Sequence, residues 1–396
     1  MNGIAYDGFG PERIYDIYNP KLGLRGFVVL DNLALGVAKG GIRMTPTVSV
    51  EEVSKLARTM TWKNAMAELP FGGGKAGIQM PVGMTPQKKE ALIRAFGEAI
   101  KPICPSMYVA GPDINTTERE MGQLAEAVGT PRACTGKPRE MGGIPHELGS
   151  TGFGVFHALR VAAKDMRLDL KGATIAIEGF GNVGWFVAKF AAEAGAKLVA
   201  VSDSKGVAYL KGGMDFARLA DIKKTKGTVT AYPKCKTLPA QNIVGADVDI
   251  LVTAAIPDLI NKKNAGKVKA KLIVEGSNIP MTYETELALF KRGVLFVPDF
   301  VANAGGVISS YIEYIGGTDK EMFRRVENTI VKNAKLVLDD AHELRIDPRA
   351  AALRIAKERV IAKCRTCAPE GLDREWKTYK GGGKSEKATN AWSDWR

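Results

Sequence analysis

Three lysines in this 396-residue chain differ from ordinary solvated lysines in their neighbours. Lys39 precedes Gly40 and Gly41, Lys63 sits in MTWKN, and Lys75 follows Gly72, Gly73 and Gly74. Glycines let a backbone crowd a ligand. A lysine held beside other cations and away from water has its ammonium form disfavoured, so its pKa falls toward the working range of a general base. One such lysine can move protons while the others stay charged and anchor carboxylates. Asp113, in VAGPDIN, follows a strand-like run and precedes Thr117 with Glu120 three residues on, the spacing of a capping box. Read blandly, it is a turn residue. Near Lys75, its carboxylate can relay protons to and from a reacting amine. GGGKAG is not a phosphate-binding P-loop, because Leu69 stands where that loop needs glycine and Ala76 replaces Ser or Thr.

A second constellation lies further on. The strand-like ATIAIE runs into Gly179, Gly181 and Gly184, which open a helix. The first glycine suits a tight turn, the second lets the backbone approach a pyrophosphate, and the third allows close packing of helix on strand. The first helical residues, Asn182 and Val183, carry N–H groups at the positive end of the helix dipole. The next strand, KLVAVSD, ends at Asp203, 24 residues after Gly179. The pattern predicts a dinucleotide site; the bland alternative is a turn whose glycines serve packing alone. Asp203 would bond an adenosine ribose 2′-OH and favour NAD, whereas Ser204 and Lys205 place a hydroxyl and an ammonium beside it and suit NADP. The expected cofactor is therefore NAD or NADP. Later strands end in small or amide residues: Ala254 after VDILVT, Asn278 after KLIVEGS and Asn303 after VLFVPDFVA. Open α/β sheets bind ligands outside the carboxyl ends of their strands, so all three are cofactor candidates, with Asn278 and Asn303 suited to the nicotinamide ribose or carboxamide, although Asn is also a frequent turn former.

The elements that must position these residues fall into zones. Residues 21–145 mix short strands with helices such as Val50–Ala67 and Pro86–Ile100, a mixed α/β pattern. From 172 onward, continuous apolar strands separated by crossovers indicate a parallel, doubly wound sheet buried on both faces. Residues 318–369 read as helices with a break at Asp347–Pro348. The fold class is thus α/β, with a substrate-binding and oligomerisation domain at 1–149, a dinucleotide-binding domain at 150–351, and residues 352–396 returning to the first. The tail from Gly371, which contains GGGKSEKATN, reads as mobile.

Composition narrows the class. With 45% hydrophobic residues the chain is globular, not fibrous or wholly disordered. No apolar run approaches the roughly 18 residues that cross a bilayer, and the start lacks signal-peptide order, so a soluble cytoplasmic protein is expected. The net charge of +13 is partly local, since residues 221–271 hold ten Lys against four Asp. No Arg-rich run with interleaved aromatics accompanies it, so steering of anionic small molecules is favoured over nucleic acid. Five scattered cysteines read as free thiols. Cys364 and Cys367 lack the second pair of a zinc site, and His146, His157 and His342 lack ligand spacing, so no metal is assigned.

The ordered motifs KGGIR, MTWKNA, LPFGGGKAG, GPDINT, STGFGV, EGFGNVG, VSDSKG, EGSNIP and NAGGVISSYIEY, spanning Gly36 to Glu313, resemble the glutamate, leucine, phenylalanine and valine dehydrogenase family. The resemblance implies a substrate and oligomerisation domain, a Rossmann domain, a cleft between them that closes on substrate, and a homo-oligomer, expected as a hexamer. It also implies reversible NAD(P)-dependent oxidative deamination. By position, Lys75 resembles the catalytic lysine, Asp113 the proton-transfer carboxylate and Lys63 the α-carboxylate anchor. Lys39 and Ser310 resemble the pair that holds the side-chain carboxylate in glutamate enzymes. Met60 and Val307 fall at substrate-pocket positions and Thr151 at one on the cofactor side. Family members that use branched or aromatic substrates usually carry an apolar residue where Lys39 stands, so L-glutamate is the expected substrate. The chain departs from glutamate enzymes at Ala76, where they commonly have Gly, and in the segment IPHELGSTG. The alternatives are the same reaction on a branched-chain or aromatic amino acid, and a non-catalytic Rossmann protein that binds nucleotide or RNA.

Overall fold

A computed structural model describes residues 4–368, so the stretch from Gly371 lies outside the described residues. The chain forms two compact units, residues 4–148 with 307–322 and 355–368, and residues 149–306 with 323–354. The sequence pattern assigns 307–322 to the dinucleotide-binding half, yet in the structure it joins the first unit. There Tyr311 and Tyr314 stand edge-on to Phe71, ring centroids 5.8 Å and 5.3 Å away, contacts that sequence periodicity does not register.

In chain order the first unit opens with β1 (Arg13–Asn19), β2 (Leu24–Asn32), β3 (Ala38–Thr45), α1 (Val50–Met66), β4 (Gly72–Gln79), α2 (Pro86–Ile100), β5 (Tyr108–Pro112) and α3 (Glu118–Val128). Local chemistry sets the helix starts. Ser49 caps α1 by accepting from the Glu52 N–H, Thr85 precedes Pro86 at the first turn of α2, and the Glu120 carboxylate accepts from the N–H and hydroxyl of Thr117 to complete the expected capping box of α3. The sheet order is β1-β2-β4-β3-β5, with β3 parallel to both β4 and β5. Side chains alternate across it. Ala38, Ile42 and Met44 of β3, with Ala76 and Ile78 of β4, point into a core completed by Leu92, Ile93 and Phe96 of α2 and Met121 and Leu124 of α3. Each large apolar side chain fully buried there is worth about 1.5–3 kcal/mol. That leaves Lys39, Gly41 and Arg43, Gly73, Lys75 and Gly77, and Gly111 on the opposite face.

The second unit contains α4 (Ser150–Asp165), β6 (Thr174–Glu178), α5 (Asn182–Glu193), β7 (Lys197–Asp203), β8 (Gly206–Met214), α6 (Phe216–Lys226), β9 (Lys236–Leu238), β10 (Ile250–Thr253), β11 (Leu272–Glu275), α7 (Tyr283–Phe290), β12 (Leu295–Val297) and α8 (Asp299–Ala302). Three further helices, α9 (Gly305–Tyr314), α10 (Asp319–Leu344) and α11 (Pro348–Ile361), follow. The seven-stranded order is β12-β11-β10-β6-β7-β8-β9, with β6, β7, β10, β11 and β12 parallel. The chain leaves β6 for β7 on one side and returns to β10 on the other, which makes the β6/β10 junction the topological switch point where such sheets bind ligands. β8 and β9 extend the sheet antiparallel. β8 is interrupted by Gly212 and Gly213, β9 is only three residues long, and both are partly exposed, so neither gave a strand signal.

Cys364 and Cys367 are disulfide-bonded rather than free, because the turn after α11 brings their Cα atoms to 5.6 Å; Cys104, Cys134 and Cys235 are thiols. Among the described residues, no helix is long and apolar enough to cross a membrane.

A buried charge cluster braces the carboxyl end of β11. Asp347 and Pro348 start α11 as expected, and the next residue, Arg349, donates to Glu286 at 2.5 Å, Glu275 at 2.9 Å and Asp299 at 3.1 Å. Three buried carboxylates against one guanidinium are an excess of negative charge. Burial, joined by the neighbouring Glu286, pushes Glu275 well above the ordinary value of 4.5. A carboxyl group that binds its proton more tightly when folded costs no stability below its unfolded pKa, and costs increasingly more as pH rises above it. Glu275→Gln supplies a side chain that is neutral at every pH. We predict that its melting temperature relative to the parent rises as pH increases above about 5; a difference independent of pH would show that Glu275 is ionised in the native state.

Candidate active site

In the first unit the polar sheet face becomes a charge cluster. Lys75 of β4 is buried with its Nζ 3.0 Å from Asp113 Oδ2, and Arg43 of β3 reaches the same oxygen at 2.9 Å and Glu52 at 2.6 Å. The Asp113 N–H donates to the Thr116 hydroxyl, which in turn donates to Ile42 O, each at 2.8 Å, so the turn after β5 is clasped to β3. Burial drives the Lys75 pKa down, Asp113 opposes this, and Arg43 adds to it; the outcome is a lowered value. For Asp113 burial acts to raise the pKa, but Lys75 and Arg43 outweigh it and hold the carboxylate below its usual range. The arrangement is an ammonium that releases its proton readily beside a carboxylate held ionised.

Lys39 lies two positions further along the same face, where β3 and β4 pair Lys39 with Gly73. It is 4% exposed and donates to Ala110 O at 2.8 Å. Burial pulls its pKa from 10.5 to about 8, with Cys134 and Glu313 opposing and Lys75 and Lys137 adding to the fall. Its space depends on a missing side chain: a Cβ on Gly111 would stand 2.7 Å from its Nζ. A Cβ on Gly41 would likewise stand 2.8 Å from the Asp113 Cβ. Met60 and Lys63, three apart and half-buried, share one face of α1. Val307 and Ser310 are also half-buried and share a face of α9, followed at the same spacing by Glu313. Sequence reading missed Glu313, Lys137 and Arg43. Glu313 is buried, accepts from Lys137 at 2.7 Å and receives the N–H groups of Gly136 and Ile144 at 3.0 Å each. Its partners lie about 170 positions away, so no local pattern announces it.

In the second unit, Gly179 ends β6 with a φ of +87°, and a Cβ on Gly184 would lie 1.8 Å from its carbonyl oxygen. Around Gly181 a Cβ would meet nothing within 4 Å. Left-handed turn, open approach and close packing thus fall on the three glycines as spaced, with Asn182 and Val183 opening α5. Glu178 ties β6 to β10 by accepting from the N–H groups of Ala254 and Ala255 at 3.0 Å each. Asn303 holds the loop after β11 through Gly276 O at 3.3 Å and Asn278 Oδ1 at 3.0 Å. Thr151, at the start of α4, lies where a Cβ on Gly306 would touch its hydroxyl at 2.9 Å. Near these strand ends Thr253 Oγ1, Ser277 Oγ and Asn303 Oδ1 are buried with no hydrogen-bond partner among the described residues. Buried orphans are rare and mark places where another molecule supplies the partner. Asp203 ends β7 with exposed Ser204 and Lys205 beside it. Its carboxylate accepts from Lys223 Nζ at 2.7 Å, from the Lys205 and Val229 N–H groups at 2.9 Å each, and from the Thr228 hydroxyl at 3.2 Å.

Comparison with known proteins follows the same division. The chain is 42% identical over 349 residues to the glutamate dehydrogenase of Aeropyrum pernix, covering 83% of each chain. It is 39% identical over 352 residues to the NADP-specific glutamate dehydrogenase of Saccharolobus shibatae, covering 83% of this chain and 82% of that one. The hetero-hexameric glutamate dehydrogenase of Thermus thermophilus, in its Leu bound form, superposes with a TM-score of 0.80 at 31% identity, over 90% of this chain and 89% of that one. Residues 11–130 match the Glu/Leu/Phe/Val dehydrogenase dimerisation domain, and residues 142–366 match the Glutamate/Leucine/Phenylalanine/Valine dehydrogenase domain. The chain is an amino acid dehydrogenase and belongs to the glutamate, leucine, phenylalanine and valine dehydrogenase family.

Proposed function

We propose that the enzyme carries out the reversible oxidative deamination of L-glutamate to 2-oxoglutarate and ammonia with NAD or NADP. The observation that carries the substrate choice is Lys39, a buried cation on the sheet face that also bears Lys75 and beside which Asp113 is held. Burying a substrate carboxylate without a cation costs several kcal/mol or more, and an apolar side chain set against a buried ammonium is rejected for the same reason. Lys39 with Ser310 then receives the side-chain carboxylate, Lys63 the α-carboxylate, and Met60 and Val307 line the pocket.

The second unit fits a dinucleotide. Gly181 leaves open space before α5, whose first N–H groups suit a pyrophosphate, and the orphaned oxygens of Thr253, Ser277 and Asn303 suit the amide end, with Thr151, Ala254 and Asn278 nearby in role. The chemistry a bound dinucleotide supplies is acceptance of the hydride from the substrate Cα. Lys75, its pKa lowered by burial, takes a proton from the water that adds to the resulting iminium carbon. Asp113, 3.0 Å from that ammonium, passes the proton to the departing amine. As the C–N bond breaks, ammonia leaves, the carbinol hydroxyl gives its proton to the once more neutral Lys75, and the oxo acid remains. We further propose a homo-oligomer, a hexamer in the cytoplasm. The dimerisation-domain match over 11–130 supports association of copies.

Lys75→Ala is expected to lower turnover by about 10²–10⁴-fold, the usual worth of a general base, with dinucleotide binding kept. Normal turnover in a stopped or steady-state assay of NAD(P)H formation would remove Lys75 from catalysis. Because the Lys39 pKa lies at about 8, its positive charge is present below that pH and fades above it. Glutarate should therefore bind progressively more weakly above that point, and Lys39→Leu should abolish both the tight binding and its pH dependence. A panel of L-amino acids decides substrate: preferred turnover of leucine, valine or phenylalanine would overturn the glutamate reading, and no turnover at all would leave a binding protein.

A further inference from the structure

An acidic residue at the end of the second strand of a dinucleotide-binding fold discriminates between coenzymes in two ways. It accepts a hydrogen bond from the adenosine ribose 2′-OH, and its charge repels a 2′-phosphate. Both actions need a carboxylate with spare lone pairs and an uncompensated charge. Asp203 has neither. Its Oδ1 accepts from the Lys205 N–H and the Thr228 hydroxyl, and its Oδ2 from Lys223 Nζ and the Val229 N–H. A carboxylate offers about four acceptor positions, and all are taken within the chain. Its side chain is 5% exposed.

The fold brings these donors together. α6 ends at Gly227 in the left-handed region, φ +75°, which turns Thr228 and Val229 back onto Asp203. Lys223, in the last turn of α6, donates to Gly227 O at 3.1 Å as well as to Asp203, so its ammonium is held from two sides. Burial opposes the charge on Asp203, but Lys223 and the Val229 and Lys205 N–H groups together keep its carboxyl below the usual range. The ion pair is net neutral, and exposed next to it stand the Ser204 hydroxyl and the Lys205 ammonium.

We propose that Lys223 is a specificity-determining residue: by consuming the carboxylate of Asp203 it removes the barrier to a 2′-phosphate, so the enzyme accepts NADP at least as readily as NAD. This rests on the reading that the glycine turn after β6 binds a dinucleotide.

The test uses the full-length protein and binding of ADP-ribose and 2′-phospho-ADP-ribose by calorimetry, a readout free of catalysis. The parent is expected to bind the phosphorylated compound as tightly as ADP-ribose or more so. In Lys223→Met, which keeps the aliphatic stem, the freed carboxylate should weaken 2′-phospho-ADP-ribose by about tenfold or more relative to ADP-ribose. Asp203→Asn, which keeps the cation, should shift the ratio the other way. A parent that prefers ADP-ribose by more than about tenfold, or a ratio unchanged in both variants, overturns the role of Lys223. Failure of the parent to bind either compound overturns instead the dinucleotide reading beneath it.

Discussion

The ion pair of Lys75 with Asp113 sets the terms for the rest of the first unit. An ammonium as buried as that of Lys75 is unfavourable without a counter-charge, and Asp113 supplies one at 3.0 Å. Asp113 is itself buried, and Arg43 shares its load by reaching the same oxygen. The price of this crowding is glycine: Gly41 clears room for Asp113 and Gly111 for Lys39. Glycines in strands weaken a sheet, and here the apolar face compensates, with Ile42, Met44, Ala76 and Ile78 locked against α2 and α3. One face of a single sheet holds the unit together so that the other can hold charge.

The second unit solves a different problem. Its parallel strands are buried along their lengths and leave their polar business to their ends. There the chain's own groups satisfy some donors and acceptors and leave others open. Glu178 and Asn303 close the backbone around the switch point, and Arg349 gathers Glu275, Glu286 and Asp299 behind it. Among the described residues, Thr253, Ser277 and Asn303 keep unpaired oxygens. Asp203 lies at the other extreme, with every acceptor position filled from within. Residue type does not decide which, since the Asn303 amide nitrogen is bonded while its oxygen, among the described residues, is not.

Much of this was legible beforehand where the signal is local. The β6–glycine turn–α5 pattern, the capping box at Thr117, the bounds of α1 and α2 and the break at Asp347 depend on residues within one turn or a few positions of each other. What was not legible depends on distance. Glu313 meets Lys137 across 176 positions, and the segment around it belongs with Phe71 rather than with its neighbours in sequence. β8 is held by pairing with β7, and β9 by pairing with β8, despite weak strand character of their own. The Cys364 and Cys367 pair carried a spacing that fits several chemistries, and only the turn after α11 chose among them.

The amino-acid order alone fixed which groups are present and how glycines are spaced around them, because backbone turns and helix starts answer to short-range sterics and hydrogen bonds. It also placed Lys75, Asp113 and Asp203 at strand ends or in glycine-rich surroundings, as apolar and polar periodicity requires. Tertiary structure alone decided which charges meet. A lysine's pKa, or a carboxylate's freedom to greet a ligand, is set by burial and by charged groups from remote segments: Arg43 for Asp113, Glu313 for Lys39, Lys223 for Asp203.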